Sequence, residues 1–171
     1  DEVNDKIYAW NDIVKADPTD YEGWANLTLL NYDKGDYKKS YKAAQKAIDI
    51  YEKYEITADD DLIRETMVKG AASAYNLGKR KDAQEMLDKM LSYNLEGTEN
   101  SKNTYTGMAN YYLAAINKDA GNYNRSYYYI NNAVTYCPHN DIFLDFLHGF
   151  FYLHNAWHWH HPHVHLVTYI M

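Results

Sequence analysis

Lys34-Gly35-Asp36-Tyr37 is the first of three glycine-centred phrases in this sequence, and it is followed by Leu77-Gly78-Lys79-Arg80 and Ala120-Gly121-Asn122-Tyr123. The spacing from each glycine to the next is 43 residues, and small residues recur at matching offsets around each one. Self-similarity with a period of about 20–50 residues is typical of repeat proteins, in which each unit buries its apolar face against its neighbours. The phrases therefore predict an array of similar units whose surface carries the function.

Each unit is predicted to contain two helices. Apolar residues recur at i, i+3, i+4 and i+7 on both sides of each glycine, as an amphipathic helix requires. The glycine supplies the turn between the helices, and Asp17-Pro18 ends an earlier helix because proline cannot continue one. Across the chain, this pattern predicts eight helices, at 2–16, 20–34, 37–54, 60–77, 80–93, 104–119, 123–136 and 141–154.

The units align when each glycine is placed at position 15, so that they begin at Tyr21, Arg64 and Gly107. The residues that then follow a shared pattern are Trp24, Leu27, Gly35, Tyr37 and Ala47; Ala71, Gly78, Ala83 and Leu87; and Leu113, Ala114, Gly121, Tyr123, Ile130, Ala133 and Pro138. This pattern resembles the tetratricopeptide repeat (TPR), with a large residue at 4, Leu at 7, small residues at 8 and 20, an aromatic at 17, Ala at 27 and Pro at 32. The resemblance implies an all-α fold, a right-handed α-solenoid of helix-turn-helix repeats.

The resemblance covers about residues 1–154 and implies a division of the chain. The parts are a half repeat at 1–18, repeats that start at 21, 64 and 107, a last helix at 141–154, and an irregular His- and aromatic-rich segment at 155–171. The usual repeat has about 34 residues, so the spacing of 43 is unusual. The extra residues are predicted to lengthen the second helices and the connections, at 48–54, 57–61 and 93–104.

In the TPR family, ligands usually lie along the concave surface that the first helices of the repeats form. The resemblance therefore implies a protein-binding groove that contains Glu22, Ala25, Leu29, Tyr32, Asp33, Glu65, Val68, Tyr75, Asn76, Met108, Tyr111 and Lys118. Chaperone-binding relatives clamp a terminal carboxylate with Lys and Asn at positions 5 and 9. Ala25 and Leu29 stand there in the first unit, so this clamp is not expected, and the groove is suited to an extended or helical protein segment.

The two ends of the predicted array are unmatched halves of a repeat. Residues 1–16 match a second helix, with Trp10 and Ile13 at positions 24 and 27, and residues 141–154 match a first helix. The latter is apolar nearly all round, and such a helix is buried against something. We predict that its Leu144, Leu147 and Phe151 pack on Trp10 and Ile13 of another copy, a head-to-tail contact that yields a filament or ring. The alternative is that residues 156–171 fold back and cover it.

The C-terminal segment is rich in histidine and lacks acidic partners. His154, His158 and His161 would share one face of a helix, whereas His161, His163 and His165 would share one face of a strand. Either set could bind zinc or copper, although Pro162 breaks the helical version. The alternatives are a closing segment that packs on the last helix, with 164–170 extended, or a mis-assigned sequence. If the imidazoles are buried and neutral, the C-terminal contact is predicted to loosen between about pH 7 and 5.

Composition excludes several function classes. The net charge of −7 and the pI near 5.5 disfavour a nucleic-acid partner, which would need a basic face, and no polybasic stretch favours an anionic membrane. Asp145 and His148 interrupt the last apolar run, so no transmembrane segment is expected. No phosphate-binding loop, nucleophile elbow or dinucleotide motif occurs, and Cys137 is the single cysteine. We therefore expect no enzymatic activity and no cofactor other than the metal considered above.

Asn124 and Asn26 each begin a formal N-glycosylation triplet. A processed N-terminus, an engineered boundary or an incomplete sequence would each explain a start at Asp1 without Met. The Tyr- and Asn-rich composition offers a hydrogen-bonding surface with little charge, which suits an exported protein. It favours an extracellular or periplasmic location over a cytoplasmic one. Three functions stay open: a structural subunit that assembles through its terminal helices, a monomeric adapter that binds a partner peptide in its groove, and a metal-binding or pH-responsive module.

Overall fold

The computed structural model describes residues 1–57, 60–93 and 95–160, with the side chains of this part except those of residue 151 and residues 153–160. Within these residues the chain is 82% helical and forms no strand, which confirms the prediction of an all-α fold. The eight helices are α1 (Glu2–Ala16), α2 (Tyr21–Asp33), α3 (Tyr37–Lys53), α4 (Asp60–Asn76), α5 (Arg80–Ser92), α6 (Glu99–Asp119), α7 (Tyr123–Tyr136) and α8 (Asp141–His160).

The three repeated glycines form three equivalent turns. Gly35, Gly78 and Gly121 have φ angles of 81°, 75° and 76°, the left-handed region that glycine enters without a Cβ penalty. The N–H of each glycine donates to the carbonyl of the residue three positions earlier, as Gly35 donates to Tyr32. The N–H of the following residue donates to the carbonyl five positions before it, as Asp36 donates to Asn31. This is the Schellman arrangement, which satisfies the last carbonyl groups of a helix. The repeated phrase in the sequence is therefore the repeated end of α2, α4 and α6.

Helices that are consecutive in the chain pack on one another, and α2, α4 and α6 also form a row in which each contacts the next. One core cluster is centred on α4 and contains Ile63, Met67 and Val68, with contributions from α2 to α6. Smaller clusters join α1, α2 and α3, and α6, α7 and α8. Side chains buried in these clusters stabilise each helix mainly through its neighbours rather than through its own helical propensity.

Small residues allow the helices to approach closely. Ser40 on α3 donates to the carbonyl of Thr28 at 2.9 Å, and Ser126 on α7 donates to that of Ala114 at 2.7 Å, so positions 20 and 8 of two units make the same bond. Between units, a Cβ added to Gly70 on α4 would lie 2.4 Å from the Cβ of Ala44 on α3. A larger side chain at these places would separate the helices.

Four tyrosine hydroxyls donate to carboxylates that lie roughly one repeat away in the sequence. The pairs, 40 to 44 residues apart, are Tyr41 with Asp82, Tyr93 with Glu52, Tyr105 with Glu65, and Tyr75 with Asp119. A hydrogen bond to an ionised acceptor is stronger than one between neutral groups. These bonds therefore join α3 to α5 and its C-terminal end, and α4 to α6.

Two helix ends differ from the sequence-based prediction. Helix α6 begins at Glu99 rather than at 104, because the Thr98 side chain accepts the N–H of Ser101 and caps the earlier start. Helix α8 continues to His160 rather than ending at 154. The other predicted ends agree with the structure within one residue.

The connection between α5 and α6 is anchored to the start of α4. Arg64, which is buried, donates to the side chain of Asp61 and to the carbonyl of Glu96. The N–H of Glu96 in turn donates to Asp60. A Cβ on Gly97 would lie 2.8 Å from the Arg64 guanidinium, so this glycine, with φ of 138°, is required there. Part of the added repeat length is thus used for a fixed connection.

None of the helices in the described part of the chain is both long enough and apolar enough to span a membrane.

Candidate protein-interaction surfaces

A row of contacts runs along α2, α4, α6 and α8, and we call it the aromatic ladder. The Lys69 Nζ lies 5.5 Å from the ring centre of Tyr32, and the Lys118 Nζ lies 4.8 Å from that of Phe146. Between them, the rings of Tyr75 and Tyr112 meet edge to face at 6.1 Å. In repeat numbering, with the last helix numbered from Asp141, each contact joins position 12 of one helix to position 6 of the next. Helix α8 thus repeats on α6 this one contact that α6 makes on α4.

Polar groups beside the aromatic ladder bond to one another. Lys69 makes 2.9 Å ion pairs with Asp33 and Glu65, and Tyr105 donates to Glu65 at 3.0 Å. Burial alone would lower the pKa of Lys69, but its bonds to Asp33 and Glu65 outweigh burial and raise the pKa. Lys69, Asp33 and Glu65 are therefore already paired with one another within the chain.

Tyrosine hydroxyls on this face are held in their protonated form. Burial, and then the 2.9 Å bond to Asp119, raise the pKa of Tyr75 to about 12. Arg80 pairs with the same carboxylate at 3.0 Å. Burial also raises the pKa of Tyr112, whose hydroxyl lies 3.2 Å from that of Tyr32. These phenols stay protonated at neutral pH, and Tyr75 acts as a hydrogen-bond donor rather than as a base.

The predicted groove residues separate into a surface set and a core set. Ala25 and Val68 are 0% exposed and belong to the main core cluster, so they offer no surface to a partner in this structure. The other predicted groove residues, which are partly or fully exposed, form the surface of the predicted groove. The half-buried members are Leu29, Tyr32, Glu65, Tyr75, Met108 and Tyr111, and the exposed members are Glu22, Asp33, Asn76 and Lys118.

Sequence reasoning missed position 6, which supplies Lys69, Tyr112 and Phe146. The TPR resemblance implied groove positions 2, 5, 9, 12 and 13, and position 6 was not among them. A signal was present, because Glu65 and Lys69 are four residues apart with opposite charge, the spacing of an ion pair on one helix face.

The residues predicted to mediate self-assembly are partly used within the chain. Trp10 packs on the cluster of Val14, Leu27 and Ala43. Leu147 packs on the cluster of α6, α7 and α8, Leu144 is half-buried, and the Phe151 side chain lies outside the described set. Of the predicted residues on α1, Ile13 is exposed at 42%. Trp10 and Leu147 therefore contribute to the packing of the single chain, whether or not a second copy binds.

Other large apolar side chains are exposed on the first and last helices. On α1, Tyr8 is 70% exposed, and on α8, Ile142 and Tyr152 are 62% and 77% exposed. Such residues are ordinary when single, but a group of them is typical of an interaction surface.

The predicted metal ligands fall outside the described side chains. His161, His163 and His165 lie beyond the described residues, and so do the side chains of His154 and His158 on α8. Among the side chains that are described, no three His, Cys, Asp or Glu residues are grouped as a metal site requires. Zinc or copper binding stays a prediction.

The two glycosylation triplets differ in accessibility. Asn124 is exposed in the first turn of α7. Asn26 is half-buried within α2, where its Nδ2 donates to the carbonyl of Glu22 at 2.9 Å. Asn124 is therefore the more accessible acceptor of the two.

A groove between α2 and α3 has a volume of about 430 Å³ and is lined by Trp24, Lys42, Gln45, Lys46 and Asp49. We call it the lysine groove. The Trp24 indole N–H donates to the carbonyl of Pro18 at 3.0 Å, which fixes the ring, and the Gln45 amide donates to the Tyr41 hydroxyl at 2.9 Å. An apolar ring beside two lysines can hold an apolar side chain that is flanked by acidic groups.

No protein-family model matches this chain, and no curated protein matches it. The candidate functional surfaces are the aromatic ladder, the exposed residues of α1 and α8, and the lysine groove.

Proposed function

We propose that this protein is a non-enzymatic, cofactor-free scaffold whose copies associate head to tail, with α8 of one copy against the N-terminal end of the next. The observation that carries this proposal is the exposure of large apolar side chains on both terminal helices, Tyr8 and Ile13 on α1 and Ile142 and Tyr152 on α8. Because the two surfaces differ, each added copy presents a new one, and the contact produces a filament or a closed ring.

The scaffold is proposed to be a right-handed α-solenoid of the TPR type. Support comes from the equivalent turns at Gly35, Gly78 and Gly121 and from the repeated contact between positions 12 and 6 in the aromatic ladder. Each helix of the row α2, α4, α6 meets its successor in a similar way, which is the property of a stack of units. In such a stack the terminal units have a neighbour on one side only.

Self-association is favoured over capture of a peptide in the predicted groove. Three charged groups there already pair with one another, Lys69 with Asp33 and with Glu65. A peptide would have to break these bonds before it gained any of its own. The apolar residues on α1 and α8 need no such rearrangement.

Light scattering coupled to size-exclusion chromatography tests the proposal. We expect the molar mass of the full chain to rise with concentration from the low to the high micromolar range. Replacing Ile13 and Ile142 by Ser should lower this mass, because each loses apolar surface from one side of the contact. The control is Leu77→Ser with Leu91→Ser, two exposed apolar residues away from the terminal helices. A wild-type chain that stays monomeric at every concentration would overturn the proposal.

A further inference from the structure

Helix α3 carries an excess of positive charge on an acidic protein. It contains Lys38, Lys39, Lys42, Lys46 and Lys53 against Asp49 and Glu52, so five positive and two negative charges leave +3, whereas the whole chain carries −7. Lys39 pairs with Asp36 at 3.0 Å. Within the described part of the chain, Lys38, Lys42 and Lys46 form no ion pair, although the basic side chains of α4 and α5 do.

Two of these unpaired lysines border the lysine groove. Lys42 and Lys46 are four residues apart, which places them about 6 Å apart along the helix axis. The fixed ring of Trp24 lies in the same groove and supplies apolar surface. Asp49 also lines it and disfavours a carboxylate at that end. The complement of this groove is a helix with two carboxylates four residues apart and an apolar side chain beside them.

The exposed face of α8 has these features. Asp141 and Asp145 are exposed, are four residues apart, and form no ion pair with any described residue. From Ser126 to the last residue the sequence contains no Lys, Arg or Glu, so these two carboxylates define the charge of the region. Ile142, 62% exposed, follows Asp141 on the same side of the helix as Asp145.

We propose that α8 of one copy docks in the lysine groove of a second copy, with Asp141 and Asp145 paired to Lys42 and Lys46 and Ile142 against Trp24. This inference rests on the proposed self-association and names the surface that receives α8, a groove whose Trp24 packs, like Trp10 of α1, on the cluster that contains Val14. Donor and acceptor lie on different helices, so a bound copy keeps its own lysine groove free for another α8. The matched spacing fixes the register of the two helices, and the opposite charges steer the encounter.

Charge reversal tests the contact on the full chain. Lys42→Glu with Lys46→Glu should raise the dissociation constant of self-association about tenfold or more, because two attractive pairs become repulsive. The control, Lys81→Glu with Lys102→Glu, changes the net charge equally but affects lysines whose partners are Glu85 and Glu96 on the chain's own surface. Circular dichroism and thermal unfolding verify that each variant keeps its fold.

Restored pairing gives the decisive result. Asp141→Lys with Asp145→Lys should also weaken self-association, while an equimolar mixture of this variant with the Lys42→Glu, Lys46→Glu variant should associate again, measured by sedimentation velocity. Weakening by the control as strong as by the test variant, or a mixture that stays dissociated, would overturn the inference. If the wild type self-associates but one of these two contrary results is found, the inference fails and the proposed function stands. If the wild type is monomeric, both the inference and the proposed function fail.

Discussion

The hydroxyl of Tyr32 on α2 lies 3.2 Å from the hydroxyl of Tyr112 on α6, although 80 residues separate them in the sequence. Helix α4 contacts both α2 and α6, so this bond reaches across it. On α4, Lys69 contacts Tyr32 and Tyr75 contacts Tyr112, and the small, buried Ala72 lies three residues from each, a spacing that shares one helix face. Two tyrosines thus link units that are not adjacent in the row.

Removing one of these hydroxyls should destabilise the protein. We expect Tyr112→Phe to lower the free energy of unfolding by about 0.5–1.5 kcal/mol, because the Tyr32 hydroxyl loses its partner in a half-buried place. Urea unfolding followed by circular dichroism measures the change. Tyr128→Phe, at an exposed tyrosine of α7, is the matched control and should change stability little. Equal stability of Tyr112→Phe and the wild type would argue against the bond.

Substituting the turn glycines should cost stability through backbone strain alone. Gly35, Gly78 and Gly121 have positive φ angles, and a Cβ added at any of them would meet no atom within 4 Å, so Ala at each should cost about 1–2 kcal/mol without any clash. Gly149 on α8 also has open space but no positive φ. There, Ala should stabilise the helix by about 0.5–1 kcal/mol. Thermal unfolding measures whether each variant is less or more stable than the wild type. A loss of stability in Gly149→Ala would contradict the prediction.

The contact between Gly70 and Ala44 allows a double-mutant cycle. Gly70→Ala should destabilise the chain by about 1–3 kcal/mol, because the new Cβ would lie 2.4 Å from the Cβ of Ala44. Adding Ala44→Gly should recover part of this loss, although glycine in α3 costs about 1 kcal/mol. Denaturant unfolding of the four proteins measures the coupling. Strict additivity would show that the Cβ of Ala44 is not what the new Cβ at position 70 meets.

Alkaline pH should weaken the bonds between units. Burial and then a carboxylate partner raise the folded-state pKa of Tyr41 and of Tyr75 to about 12, above the unfolded value near 10. A raised folded pKa means that the stabilising effect is complete below about pH 10 and is lost as the pH rises through about 12. The urea midpoint should therefore fall across this window. Tyr41→Phe with Tyr75→Phe should flatten the fall, whereas Tyr8→Phe, at an exposed position, should not.

The helices and turns of this fold were predictable from the sequence because they depend on local signals. The spacing of apolar residues predicts each helix, and Gly35, Gly78 and Gly121 predict the turns between helices. The early start of α6 was missed because residues 93–104 carry little apolar periodicity, and a cap at Thr98 is a single polar residue among several.

The candidate surfaces were only partly predictable. A position number does not say whether a side chain is covered, and Ala25 and Val68 are covered because they belong to the main core cluster. The aromatic ladder depends on the rotation between successive units, which sets whether position 12 meets position 6. That rotation depends on the core cluster around Met67, in which side chains from α2 to α6 pack together. A pattern of neighbouring residues in the sequence does not predict it.

The tyrosine–carboxylate bonds have a mechanical consequence. Tyr41–Asp82, Tyr93–Glu52, Tyr105–Glu65 and Tyr75–Asp119 cross the junctions among the first three units, and Tyr32–Tyr112 spans two junctions at once. The junction of α8 with α6 and α7 has ring contacts, such as Tyr111 on Phe143, but no bond of this kind among the described residues. Helix α1 at the other end also has no such bond among the described residues and is held by apolar packing and by Lys34 donating to Asn4. A chain pulled from its two ends would therefore yield first at a terminal helix, and the units between α1 and α8 would bear load together.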